Sequence, residues 1–225
     1  MNHFIISAYA VFLSALLAGV IFIWRGQLSI RLFGSFWLAV SFWSYFVAMQ
    51  SRLLRWMPDV LWGWFLHVGC IFVPVVFFHF AYVWSKTGQG NSWSVRAVYA
   101  GGIVFVLLNT FTKVFTHGTA LRDSYAYPVP GILYPLYIVF FQIIGVWSTA
   151  LILRMRNQLS GRGRRTLYLF LAVYVLAYVG SMDNFLIMYD LRIFPLYPYG
   201  LYFILPYVIL GGYTVRKLGP EVGLR

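Results

Sequence analysis

The sequence predicts an all-α, polytopic membrane protein, a single domain over residues 1–225 built as a bundle of seven transmembrane helices. Three observations point there. The chain is 61% hydrophobic and 21% aromatic with only 10% charged residues, too few polar groups to cover a soluble surface. Apolar runs of about 20 residues recur along its whole length, and each is long enough to cross a bilayer. The basic residues punctuate these runs instead of clustering on one face with interleaved stacking aromatics, so the net charge of +12 does not indicate nucleic acid.

Taken in order, the expected spans are 4–24, 32–49, 60–84, 95–115, 132–153, 166–189 and 199–215. The first lacks a basic leader and a small-residue cleavage site, which makes it a retained span and not a signal peptide. The second has an aromatic-rich face. Connections are expected at 51–59, 86–94, 117–131, 154–165 and 190–198, marked by Gly, Pro, Asn or Arg. Pro74, Pro135 and Pro206 interrupt backbone hydrogen bonding within or at the start of spans and are candidate hinges.

Orientation follows from Lys and Arg. The connections after spans one, three, five and seven hold twelve of the 17, and those after spans two, four and six hold the other five. The N-terminus is therefore expected outside and the C-terminus in the cytoplasm. The basic segment 154–165 reads as topogenic, although its SGRGRR run could also meet phosphate or anionic lipid.

Few polar side chains fall inside the spans, and each costs free energy unless it faces protein or water. Asp183 is the one acid inside an apolar run, and Ala177, Gly180, Ser181 and Asn184 form a small-residue stripe beside it. His67 lies on a stripe with Gly63, Cys70 and Pro74. With the orientation above, His67, Asn109, Lys113, Asp183 and Asn184 all fall in the outer leaflet. They are the candidate ligand-binding cluster, with Asp183 paired to Lys113 or hydrogen-bonded to His67. The plainer reading is that these groups satisfy one another and hold the helices together, and that Lys113 simply extends to the interface.

Catalytic patterns are missing: there is no zinc-protease motif, nucleophile elbow, P-loop or carboxylate dyad, so no enzyme is expected. His79 sits about 18 Å deeper than His67 and about 120° round the helix, so the two cannot ligate one haem. Lys86, Lys113 and Lys217 lie in loops or at span ends, which excludes a retinal Schiff base mid-helix. The single Cys70 excludes an intrachain disulfide. No particular cofactor or metal is indicated.

Several stretches together carry a resemblance: LFGSFWLAVSFWSYFVAM (32–49), LWGWFLHVGCIFVPVVFFHFAY (61–82), YPLYIVFFQIIGVWSTALILRMRN (134–157), Arg164-Arg165, GSMDNFL (180–186) and IFPLYPYG (193–200). The chain resembles the seven-transmembrane N-terminal sensory region of bacterial histidine kinases. This resemblance implies a membrane input module that takes an apolar or amphiphilic ligand, or a membrane partner, between its helices and passes a signal to an output domain. No kinase output domain is present in these 225 residues. The alternative is a non-catalytic accessory subunit of a larger membrane complex, a pigment-containing one included. A proton-coupled carrier using Asp183 and His67 ranks behind both. Expected partners are the lipid bilayer and other membrane proteins or a downstream signalling domain.

Overall fold

The computed structural model describes residues 2–24, 27–49, 59–85, 93–122, 125–191 and 200–221. In chain order it contains α1 (Asn2–Trp24), α2 (Leu28–Met49), α3 (Asp59–Trp84), α4 (Trp93–Phe111), β1 (Thr116–Arg122), β2 (Tyr125–Pro130), α5 (Tyr134–Arg154), a 3-10 turn (Met155–Gln158), α6 (Gly161–Gly180), α7 (Asp183–Met188) and α8 (Gly200–Glu221). Among the described residues, helix covers most of each stretch read as a span. Five helical segments, 28–48, 63–84, 93–111, 134–158 and 161–188, are long and apolar enough to cross a membrane. The apolar part of α1, Ala8–Trp24, is shorter. The turns expected within 51–58, 86–92 and 192–198 lie outside the described residues, as do Arg25, Arg52, Arg55, Lys86, Arg192 and Arg225.

Several local readings are corrected. The expected long connection 117–131 is an antiparallel β-hairpin, so the fold is not purely helical. Its ladder pairs Arg122 with Tyr125, Ala120 with Tyr127 and Thr119 with Pro128. A register shift between Thr116 and Thr119 is accommodated by Gly118, whose φ of 63° lies in the left-handed region. Prolines are tolerated because a two-stranded ladder leaves an open edge on each strand, where a missing N–H costs nothing. Second, the fourth span stops at Phe111 instead of running to 115. Third, the sixth span is broken: α6 ends at Gly180, Ser181 and Met182 make a turn, and Asp183 opens the short helix α7. α6 also begins earlier than expected, at Gly161, with the Ser160 side chain accepting a hydrogen bond from the Gly163 N–H. Pro135 sits in the first turn of α5, where its missing N–H would have no helical partner, so it interrupts nothing. Pro74 lies inside α3, where the interruption stands.

α2 and α3 pack closely, and the reason is at Gly69. A Cβ there would come within 2.9 Å of the Trp43 backbone, so only glycine lets the two helices meet at this depth. α3 also packs on α4 and α5, while α8 lies against α6 and α1. Between α5 and α6 contact is sparse. Tyr178 of α6 fills the space that a side chain at Gly145 would need, and its hydroxyl donates to the Phe141 carbonyl (3.1 Å).

The buried side chains fall into two clusters. The larger is built from α1, α2, α3, α6 and α8 around Phe33, Phe36, Trp37, Phe77, Phe170 and Tyr207. The smaller sits at the hairpin end of the bundle, where Phe115, Tyr127, Tyr134, Tyr137, Phe141 and Phe185 bring the hairpin, α5 and α7 together.

Candidate functional site

His67 is held at the hairpin end of α3. One turn earlier, Gly63 faces Pro128 of β2, with room for no side chain between them. His67 is fully buried, its Nδ1 2.8 Å from the Gly63 carbonyl and its Nε2 3.1 Å from the Tyr134 hydroxyl. A carbonyl can only accept, so Nδ1 carries the proton and, in a neutral ring, Nε2 accepts from Tyr134. Phe115 and Tyr134 both meet the ring nearly perpendicular, at 5.5 and 5.4 Å between centroids.

Asn109 ties three elements together. Its Nδ2 donates to the Trp64 carbonyl of α3 (3.2 Å), and its Oδ1 accepts from the Thr116 hydroxyl of β1 (3.0 Å). Trp64 returns the link through Nε1, which donates to Thr110 (2.8 Å). Beside this latch lies a wide cleft of about 740 Å³, with Lys113 and His117 on its wall. Lys113 is exposed.

Asp183 is 3% exposed and thus faces protein, as its cost in hydrocarbon requires. The Asn184 side chain donates to its Oδ1 (2.8 Å) and to the Ser181 carbonyl (3.3 Å). The structure therefore brings the five residues to one end of the bundle but in two groups. His67 and Asn109 lie on the α3, α4 and hairpin side, with Lys113 at the rim. Asp183 and Asn184 lie beyond a layer of rings, in which Tyr134 meets Phe185 at 6.2 Å and Tyr137 meets it at 5.9 Å. Both nitrogens of His67 are engaged elsewhere, so the expected bond to Asp183 is replaced by the one to Tyr134. Among the described residues, the ion pair at this end joins Arg122 to Asp190 (3.1 Å), not Lys113 to Asp183. Lys113→Ala should therefore change stability by less than about 0.5 kcal/mol. Asp183→Ala should lower the melting temperature in detergent distinctly more, and equal losses would contradict this separation.

A feature that sequence reasoning missed lies deeper. α2, α3, α5, α6, α7 and α8 converge on a cavity of about 80 Å³, walled by Trp37, Trp43, Cys70, Tyr178, Asn184 and Tyr207 among others. Its surface is almost entirely apolar. Most polar groups on its wall are already engaged: Tyr137 donates to the Cys70 sulfur (3.2 Å), Ser181 donates to the Tyr178 carbonyl (2.7 Å), and Tyr178 is bonded to α5 as above. The Trp37 Nε1 and the Tyr207 hydroxyl are buried without a hydrogen-bond partner. Nothing in the sequence separates these two rings from those of an ordinary interface belt.

His79, half-buried on α3, approaches the Tyr99 hydroxyl of α4 (3.2 Å) and lies apart from both groups. Among the described residues, no three His, Cys, Asp or Glu side chains are placed to hold a metal ion. No family model, curated protein sequence or solved structure matches the chain.

Proposed function

We propose that this chain is a membrane-embedded signal-input module with seven spans, binding an apolar or amphiphilic ligand between its helices, as the resemblance to histidine kinase sensory regions implies. The observation that carries the reading is the apolar cavity where six helices converge. A ligand there would touch almost every helix of the bundle, so it can favour one packing of the helices over another, which any signal requires. The proposed orientation, with the C-terminus in the cytoplasm of a bacterial inner-membrane protein, draws support from the exposed bases. Arg154, Arg156, Arg162, Arg164, Arg165, Arg216 and Lys217 lie at the ends of α5 and α8 and the start of α6, opposite the hairpin.

The site can be tested by filling it. Ala177 of α6 lines the cavity and is 6% exposed. Full-length chain purified in mild detergent should carry a co-purified apolar molecule, read by native mass spectrometry, and Ala177→Phe should lose it while keeping its helical content. If wild type and variant carry identical molecules, the cavity is not the site. A stoichiometric pigment or protein partner retained by both would favour the accessory-subunit reading instead.

A further inference from the structure

We propose that the cleft between α3, α4 and the hairpin holds one monoanionic phospholipid, its phosphodiester at Lys113 and His117 and the upper part of an acyl chain against Leu61, Phe65 and Phe111. The site is separate from the apolar cavity and does not depend on it.

The cleft stands at the level of lipid headgroups. α4 is long and apolar enough to cross a membrane and ends at Phe111, which puts Lys113 just beyond the span. The neutral donors around it are already committed. Thr110 and Thr112 donate to the Val106 and Leu108 carbonyls (2.7 and 2.6 Å), Thr116 donates to Asn109 (3.0 Å), and Asn109 donates to Trp64 (3.2 Å). Lys113 and His117 are left, both exposed on the cleft wall, and neither has a hydrogen bond or ion pair among the described residues. His117 is brought there by the irregularity in β1, where the ladder shifts register between Thr116 and Thr119 and Gly118 has open space beside it. Its ring offers an N–H in either protonation state. Arg122, the other described base at this end, is already answered by Asp190. The cleft is thus short of an anion.

The rest of the wall says which anion. Leu61 and Phe111 are 44% and 77% exposed, and Trp64 and Phe65 are half-buried beside them, so a small inorganic ion would leave most of the wall uncovered. A volume of about 740 Å³ accommodates a headgroup and the first part of one chain, the remainder staying in the bilayer. A choline headgroup answers its own phosphate with a cation, whereas a glycerol headgroup leaves the phosphate to Lys113.

The test uses full-length chain in phosphatidylcholine nanodiscs containing a small fraction of phosphatidylglycerol with a photoreactive diazirine high on one acyl chain. Saturable crosslinking to residues 61–65 and 109–118 is expected, suppressed by unlabelled phosphatidylglycerol but not by palmitate or inorganic phosphate. Lys113→Gln should weaken this binding roughly fivefold, His117→Leu by less, and Lys113→Glu should abolish it. Lys217→Gln, at the opposite end of the bundle, should leave it unchanged. In lipid-free detergent Lys113→Gln should melt with wild type, so that its loss of crosslinking is a loss of lipid and not of fold. Labelling that rises without saturating, or that is equal with a diazirine phosphatidylcholine, would mean that bulk lipid alone fills the cleft and would overturn the proposal. Displacement by phosphate or by palmitate as effective as by phosphatidylglycerol would overturn it too, in favour of a free-anion or fatty-acid site.

Discussion

Gly131→Ala, the addition of one methyl group, is expected to be among the most damaging single changes in the chain. Gly131 is buried where the hairpin returns to α5, and a Cβ there would be driven into the backbone carbonyl of Val114. The backbone cannot yield easily. The Gly131 N–H donates to the Phe115 carbonyl (2.7 Å) and the Leu133 N–H to the Val114 carbonyl (2.9 Å), so the two segments are clamped on both sides of the collision. Phe115 moves if they separate. Its ring is fully buried against His67, Tyr134 and Tyr137, so relief at Gly131 disturbs the whole aromatic cluster. Overpacking of this kind costs about 1–3 kcal/mol. A clear drop in thermal midpoint in detergent is expected, and a midpoint within a degree or two of wild type would mean that the hairpin is not clamped as described.

Removing the His67 side chain should cost more still, about 2–4 kcal/mol, because it leaves a cavity among rings and strips the Tyr134 hydroxyl of its partner. Tyr134→Phe alone should cost about 0.6–1 kcal/mol, the usual worth of a hydrogen bond between helices in a membrane protein. The informative measurement is the double variant. If the bond to Tyr134 is what engages Nε2, Tyr134→Phe should cost almost nothing once His67 is alanine, giving a coupling close to the whole single-variant loss. Combined with Asp183→Ala, by contrast, the His67→Ala loss should add nearly in full, since the two share no hydrogen bond among those described. Strong coupling between His67 and Asp183 would restore the single polar cluster that the sequence suggested.

The helices were legible because a run of about 20 apolar residues has few other uses. Their interruptions were not. Hydropathy reads straight through Ser181 and Met182, because a one-turn break inside an apolar run changes neither length nor composition. It likewise extended the fourth span to Phe115, whose ring is buried in the aromatic cluster although its backbone has left the helix. Pro128 and Pro130 signalled a loop, and only the pairing with β1 reveals a strand. Of the candidate site, Asp183 was correctly read as facing protein from the cost of placing it in lipid. Common depth suggested that it and His67 meet, but depth says nothing of what lies between. Here it is a layer of aromatic side chains, one of which, Tyr134, takes the hydrogen bond expected for the acid.

The sparse seam between α5 and α6 turns on Tyr178. One edge of its ring stands where Gly145 has no side chain, its hydroxyl holds the Phe141 carbonyl, and another face looks into the cavity. Pressure exerted on that ring from within the bundle has one short route out. It must prise the hydroxyl from α5 or carry α5 along, and with it the 3-10 turn and the arginines at the far end of that helix, much as a latch pin transmits a push from the keyhole to the bolt.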